Sequence, residues 1–386
     1  MISKIAIKNF KALEDIQIDC KPLNVLTGLN GMGKSSIIQA LLLLRQSQER
    51  GFLKEDGLFL NGELVSIGTG KDAFYEFAEK EEIVFEVAFE GDEHPKTWVF
   101  TYETNDDNVD EKYYSANFLR YSKDSNKYND IDNLSLFKHD SFRYLNADRW
   151  VSNEYTMSEF DVVYNRSLGK HGQYSAHFLA HHGANLKVHP RLVHPDSTSN
   201  DLENQVALWL NEISPRTKIV TEKISGTDSV KLRYIMGSES GSSNEVRPLN
   251  AGFGITYILS VLVAILSSQE DDLLIIENPE SHIHPRGQSM IGKLLGQAAT
   301  AGAQIFIETH SDHIINGILI SVSEANENRI DGIKASDVAI SFIDRKKGSI
   351  ASEIHTIEVQ SNGRMSAMPD GFFDQYSKDL KAIVGF

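Results

Sequence analysis

The sequence predicts an α/β protein, on three observations. "LNVLTG" leads into the Gly-rich "GLNGMGKSS" and then into "SSIIQALLLLRQSQ" at helical spacing, so 23–47 reads as strand, turn, helix. The apolar run "LLII" at 273–276 ends in Glu277, as a buried parallel strand does at its functional end. From 252 to 323, helical and strand patterns alternate.

Taken in order, residues 2–27 alternate apolar and polar with a break at Pro22, which predicts three short strands. "GLFLNGELVSIG" and "EEIVFEVAFEG" are period-2 segments, making 58–103 strand-rich. Residues 104–135 turn polar and acidic and read as a long surface excursion. "FRYLNADRW" at 142–150 returns to strand character. "DLENQVALWLNEIS" at 201–214 is an amphipathic helix opened by an acidic cap, and "KIVTEKI" with "VKLRYIM" forms a hairpin. Helices follow at 252–268, 286–299 and 312–323, with strands at 273–277 and 303–309. Three parts result: 1–57 with the Gly-rich loop, a strand-rich and helical insertion over 58–245, and a second α/β part over 246–386.

Composition narrows the class. With 386 residues, 41% of them hydrophobic, a sizeable core is available. No apolar run reaches 18 residues, so no membrane helix is expected, and the N-terminus lacks the apolar region of a signal peptide. The lone Cys20 fits a reducing cytoplasm. A net charge of −16 argues against a uniformly basic nucleic-acid binder and leaves room for a local basic groove.

Gly28, Gly31 and Gly33 with Lys34 and Ser35 satisfy G-x-x-x-x-G-K-S, and Asn30 and Ser36 flank them in the same loop. Glycines let main-chain N–H groups wrap a phosphate, and the helix beginning near Lys34 adds its positive end. Lys34 would reach the β- and γ-oxygens, and the Ser35 hydroxyl would ligate Mg²⁺. Glu277 would hold that Mg²⁺ through water; a plain surface carboxylate is the other reading. "AQIFIETHSDH" ends in Glu308, Thr309 and His310, where a histidine either bonds a γ-phosphate or serves structure.

Six histidines lie between 171 and 194, with His177 and His181 four apart as zinc ligands on a helix are. No cysteine accompanies them, and surface or packing roles are expected. Arg149 suits a phosphate or DNA contact, or a buried salt bridge. "DRKKGS" at 344–349 is a solvated basic turn.

The order "NFKAL", "GLNGMGKSS", "LNAGFGITYILS", "LLIIENPESHIHP", "FIETHSDHIING" resembles the ABC-type ATPases of the RecF, SMC and OLD group. Within that group it resembles the short bacterial AAA-family ATPases without a coiled coil. The resemblance implies an ATPase head with a mixed sheet, its lobes formed by both chain ends. It implies ATP and Mg²⁺ as cofactors, and a homodimer or higher oligomer with ATP between one subunit's phosphate loop and the other's signature. "LNAGFG" is the candidate signature, with Asn250, Gly252 and Gly254 as contacts. "SHIHP" would lie at the dimer seam, and His310 would be the switch histidine.

One position departs from the pattern. After the metal-binding carboxylate such sites usually carry a Glu that orients the attacking water; here Asn278 stands. An amide orients water but cannot take its proton. Three readings stand: Glu280 or Glu308 replaces the base, hydrolysis is slow, or the site only binds nucleotide. Slow but real hydrolysis is the expectation, with Glu277, Asn278, Glu280 and His310 as the catalytic set. No nuclease is expected in this chain. The expected role is an ATP-driven dimeric switch in anti-phage defence or DNA maintenance, controlling a separate nuclease or toxin effector, with nucleic acid as a further partner and no membrane contact. The alternative is an ATP-assembled scaffold that cages a toxic partner.

Overall fold

The computed structural model describes residues 1–101, 118–123, 125–152, 154–238, 241–326, 332–366 and 368–384. Two compact units emerge: Met1–Lys138 with Ala339–Glu358 and Met365–Phe386, and His139–Val338 with Val359–Arg364. They divide after Lys138 and Val338, whereas the sequence pattern placed boundaries at 57 and 245. The reason is strand pairing: the segments at 82–89 and 96–101 join the N-terminal strands.

In the first unit, β1 (Ile2–Phe10), β2 (Leu13–Asp19) and β3 (Leu23–Gly28) are the three expected strands. Helix α1 (Lys34–Glu49) follows the Gly-rich loop. After β4 (Gly57–Phe59) come β5 (Glu82–Phe89), β6 (Lys96–Thr101) and β7 (Phe118–Tyr121). These build a six-stranded antiparallel sheet in the order β2-β1-β5-β6-β7-β4. Alternation puts Ile5, Ile7, Phe85 and Phe100 on one buried face, with Phe10 set edge-on against Phe85 at 5.2 Å.

Two expectations change here. The strand expected from "GLFLNGELVSIG" shrinks to three residues. Gln46 of α1 takes the next turn instead, donating to the Phe59 carbonyl and accepting from the Val65 N–H. Of the expected surface excursion at 104–135, residues 104–117 and 124 lie outside the described residues. The remainder is not a loop throughout: Phe118–Tyr121 pairs as β7, and Ile131 is fully buried. Its polar composition hides a few apolar anchors.

In the second unit, β8 (Phe142–Leu145) runs parallel to β13 (Leu273–Glu277), which runs parallel to β14 (Gln304–Glu308). Leu273, Leu274, Ile275, Ile305 and Ile307 are fully buried, as a two-sided parallel layer requires. A second, antiparallel group contains β9 (Glu154–Thr156), β10 (Thr217–Lys223), β11 (Ser229–Ser238) and β12 (Gly241–Ser242). The expected hairpin is β10–β11. Helices α2 (Ser175–His182), α3 (Leu202–Ile213), α4 (Phe253–Leu266), α5 (Pro285–Thr300) and α6 (Asp312–Asn326) complete it. Asp201 is the N-cap residue of α3, but its carboxylate pairs with Lys187 and Ser199 instead of capping by side chain.

The chain then returns to the first unit through β15 (Val338–Asp344) and β16 (Glu353–Ile357), an antiparallel pair with β3 beside β15, and ends in α7 (Gln375–Val384). Parallel and antiparallel strands thus occur together, as the α/β reading anticipated.

Candidate nucleotide site

The phosphate loop follows a buried strand. Gly28 has φ +140, and a Cβ there would run into the main-chain carbonyl of Ile343 on β15. Only glycine allows this approach. Gly31 (φ +77) and Gly33 (φ +98) carry the turn, and Gly33 is the N-cap of α1. A glycine cap offers the first helical turn no side-chain acceptor, which suits amides meant for an anion. Asn30 and Gly31 are exposed, Ser35 is half-buried and Ser36 buried. Lys34 is 3% exposed, and its ammonium donates to the carbonyls of Gly28 (3.0 Å) and Leu29 (2.8 Å). The cation therefore lies over the loop that a phosphate would fill. Arg345, from the turn read as merely solvated, donates to the Gly31 carbonyl at 2.8 Å. That brace was missed, and a separation of 314 residues left no local signal for it.

The carboxylate turn belongs to the second unit. Glu277 ends β13, where its neighbour β8 supplies Tyr144, whose hydroxyl donates to Glu277 Oε1 at 2.9 Å. The Ala147 N–H donates to Oε2 at 3.4 Å. Burial pushes the Glu277 carboxyl up, opposed by these two donors and by Arg149. Tyr144 is pushed up by burial first and the Glu277 charge second, so it remains a donor.

Asn278 sits at φ +44, in the left-handed region that asparagine tolerates better than most residues. Its N–H donates to the Glu308 carbonyl at 2.8 Å. Its Oδ1 is buried with no hydrogen-bond partner among the described residues. Glu280 accepts from the His310 N–H and the Thr309 hydroxyl, both at 2.8 Å. Its carboxyl is pushed up by burial, the same two donors and Arg149 opposing. The His310 side chain is exposed. Gln288 of α5 accepts from the Ser311 hydroxyl at 2.6 Å and donates to the Ile283 carbonyl at 2.9 Å, tying this turn to the end of β14.

Arg149 is 4% exposed and lies beside the Glu280 and Glu277 charges, so it is nearer the buried-pair reading than the DNA one, although its terminal nitrogens donate to main-chain carbonyls. Nη2 donates to Glu277 O at 2.5 Å and Nη1 to Asn278 O at 3.1 Å.

The signature segment lies in the same unit. Asn250 and Gly252 are exposed, and Gly252 (φ +90) is the N-cap of α4. A Cβ on Gly254 would overlap the His282 carbonyl, so signature and "SHIHP" turn pack at main-chain distance. The Tyr257 ring meets His282 edge-on at 4.8 Å. The structure therefore groups Glu277, Asn278, Glu280 and His310, and sets the signature against His282. The phosphate-loop residues form a group of their own.

The donor set fits the expected ligands. A glycine-capped helix with a lysine suits a phosphate, and carboxylate with hydroxyl oxygens suits Mg²⁺. The histidine cluster fits a metal less well, although Glu159, His177 and His181 place ligand atoms within 4.8 Å of one another. His177 is fully buried and its Nδ1 accepts from the Ser158 N–H at 3.2 Å. The ring proton is therefore on Nε2, which faces Glu159 at 3.5 Å, with Lys223 3.3 Å from the same carboxylate. Ser158, His177, Glu159 and Lys223 thus form one polar network.

Comparison with known proteins completes the assignment. A family model described as "AAA domain, putative AbiEii toxin, Type IV TA system" matches residues 23–316. The chain belongs to this AAA-domain family. A second model, of a family described only as of unknown function, matches 333–383. No curated protein sequence matches the chain. Among solved structures, this AAA-domain chain is similar to an SMC head bound to the C-winged helix domain of ScpA, with TM-score 0.54 and 11% identity over 92% of this chain and 98% of that one. It is similar also to an SMC head with an extended coiled coil from Pyrococcus furiosus, bound to the C-terminal domain of ScpA, with TM-score 0.52 and 10% identity over 99% of each. At these identities the likeness is one of fold: the chain shares the fold of an SMC head.

Proposed function

We propose that this AAA-domain protein binds ATP, hydrolyses it slowly, and works as a dimeric switch that controls a separate effector. The observation that carries the reading is Asn278. It follows Glu277 at the position of the usual base, held in a left-handed turn with an unpartnered, buried Oδ1. Such an oxygen accepts a hydrogen bond from an attacking water and orients it, without being able to take the proton. Each Glu280 oxygen accepts one bond, from Thr309 and from His310, so in this reading Glu280 acts as a holder of the switch segment.

In this reading Asn30, Gly31, Gly33, Lys34 and Ser36 bind the phosphates, while Ser35 and Glu277 serve as the Mg²⁺ ligands. Bound Mg²⁺ supplies neutralisation of charge on the transferring phosphoryl group. Lys34 exchanges the Gly28 and Leu29 carbonyls for phosphate oxygens as its acceptors, Tyr144 orients Glu277, and His310 senses the γ-phosphate. Slow turnover makes ATP a timer for the closed state. The exposed Asn250, Gly252 and Phe253 (58% exposed) support a second copy as the partner that completes the site.

Anti-phage defence or DNA maintenance is the proposed setting, in the cytoplasm. Among the described residues no helix is long and apolar enough to cross a membrane. The alternative is an ATP-assembled scaffold holding a toxic partner; the family description, a putative toxin of a type IV toxin–antitoxin system, supports a toxin–antitoxin setting. Salt-sensitive DNA binding by the purified chain supports the switch on nucleic acid, whereas a co-purifying protein without DNA affinity supports the scaffold. Phosphate release beside a Lys34→Ala control, with mass measured with and without ATP, tests the main reading.

A further inference from the structure

Arg149 is the feature of the carboxylate turn that the hydrolysis reading leaves unused. It follows β8 by four residues, in a segment pinned by the Asn146 N–H on the Lys170 carbonyl (2.8 Å) and the Trp150 N–H on the His171 carbonyl (2.7 Å). The guanidinium is thus delivered from a fixed main chain. Its two terminal nitrogens take the carbonyls of two successive residues, Glu277 and Asn278.

In an extended strand successive carbonyls point to opposite sides, so one planar fork cannot reach both. The left-handed Asn278 turns them to the same side. Fork and left-handed residue therefore require each other. Without Arg149, the Glu277 carbonyl loses the guanidinium donor and the Asn278 carbonyl keeps only the Ser281 N–H at 3.2 Å, so the left-handed turn is held less firmly. Burial lowers Arg149 to about 10, with Glu280 and then Glu277 opposing, so the guanidinium remains charged beside both carboxylates.

We propose that Arg149 is a positioning residue for hydrolysis: by clamping the Glu277 and Asn278 carbonyls it fixes where the Asn278 amide and the Glu277 carboxylate stand. It acts through Glu277 and Asn278, whose main-chain carbonyls it holds. The inference rests on the hydrolysis reading above, and it assigns lysine a poor substitute's role, because an ammonium is a point donor that cannot span two carbonyls as a fork does.

The test compares the full chain as wild type, Arg149→Lys, Arg149→Met and Lys34→Ala. Three quantities are read: kcat and KM for phosphate release, affinity for a non-hydrolysable ATP analogue, and amide exchange at Asn278 and Ser281. Those amides donate to Glu308 O and Asn278 O. Melting curves confirm folding of each variant. Arg149→Met is expected to lose about a hundredfold in kcat. Its KM and analogue affinity stay within about threefold of wild type, exchange at the two amides speeds up, and Arg149→Lys recovers a minor part of kcat. Three results overturn the assignment: kcat within about twofold of wild type in Arg149→Met, unchanged exchange, or analogue affinity falling in step with kcat. A wild-type rate no higher than Lys34→Ala defeats the hydrolysis reading itself and takes this inference with it. That outcome is told apart from the others by the wild-type arm alone.

Discussion

Glu280 holds the end of β14 at two points, Oε1 on the His310 N–H and Oε2 on the Thr309 hydroxyl, each at 2.8 Å. The turn after the carboxylate strand and the segment bearing His310 are therefore one mechanical piece.

Glu280→Gln and Glu280→Ala separate holding from proton transfer. An amide oxygen still accepts from the His310 N–H, and the Thr309 hydroxyl can rotate to accept from the amide NH₂. Gln is expected to keep turnover within about tenfold of wild type, whereas Ala, which leaves a main-chain donor unanswered, loses about a hundredfold. Equal losses in both, read by phosphate release, would show Glu280 to be the base.

Asn278 can be given a carboxylate in two ways. Asp tolerates the left-handed region nearly as well as Asn, whereas Glu meets about 1–2 kcal/mol of strain there. Both Asn278→Asp and Asn278→Glu are expected to raise turnover, with the Glu variant melting at a lower temperature. Unchanged or reduced turnover in both would remove Asn278 from its water-orienting role.

Much of this arrangement was legible in the sequence, but only where the signal was local. The phosphate loop, the run ending at Glu277 and the helices at 285–300 and 312–326 follow from periodicity and turn chemistry. Tyr144 escaped notice because it lies 133 residues from Glu277, on a strand whose parallel partner leaves no trace in its sequence. Arg149 was visible, yet its partners are main-chain oxygens, which carry no side-chain code. The left-handed state of Asn278 was also hidden, since Asn and Glu read alike as the residue after a strand. Strand β7 was masked by the polar composition around it.

The loop glycines differ in a measurable way. Gly28→Ala drives a methyl into the Ile343 carbonyl, main chain on both sides, so neither partner yields cheaply. It is expected to lower stability by on the order of 1–3 kcal/mol and to abolish nucleotide binding. Gly31→Ala has open space around its Cβ and pays only the left-handed cost, about 1 kcal/mol. Melting curves and analogue binding on the two variants check the order.

Acid should loosen the second unit through His177. Burial depresses this histidine, helped by Lys223 and His181 and opposed by Glu159. The unfolded chain takes up the proton near pH 6.5 and the folded one only below that, so stability is full above about 6.5 and falls as pH drops toward the folded value. His182, also depressed chiefly by burial, adds in the same direction. Melting followed from neutral to mildly acidic pH should show this loss in wild type and a smaller one in His177→Gln; equal losses would place the acid sensitivity elsewhere.

The most direct measurement is phosphate release by the wild-type chain beside Lys34→Ala, with the mass of each recorded in ATP and without it. A wild-type rate that is slow yet clearly above Lys34→Ala, with ATP-dependent doubling of mass in wild type alone, is the predicted result. A wild-type rate equal to Lys34→Ala would contradict the account: Asn278 would then belong to a site that binds and does not hydrolyse.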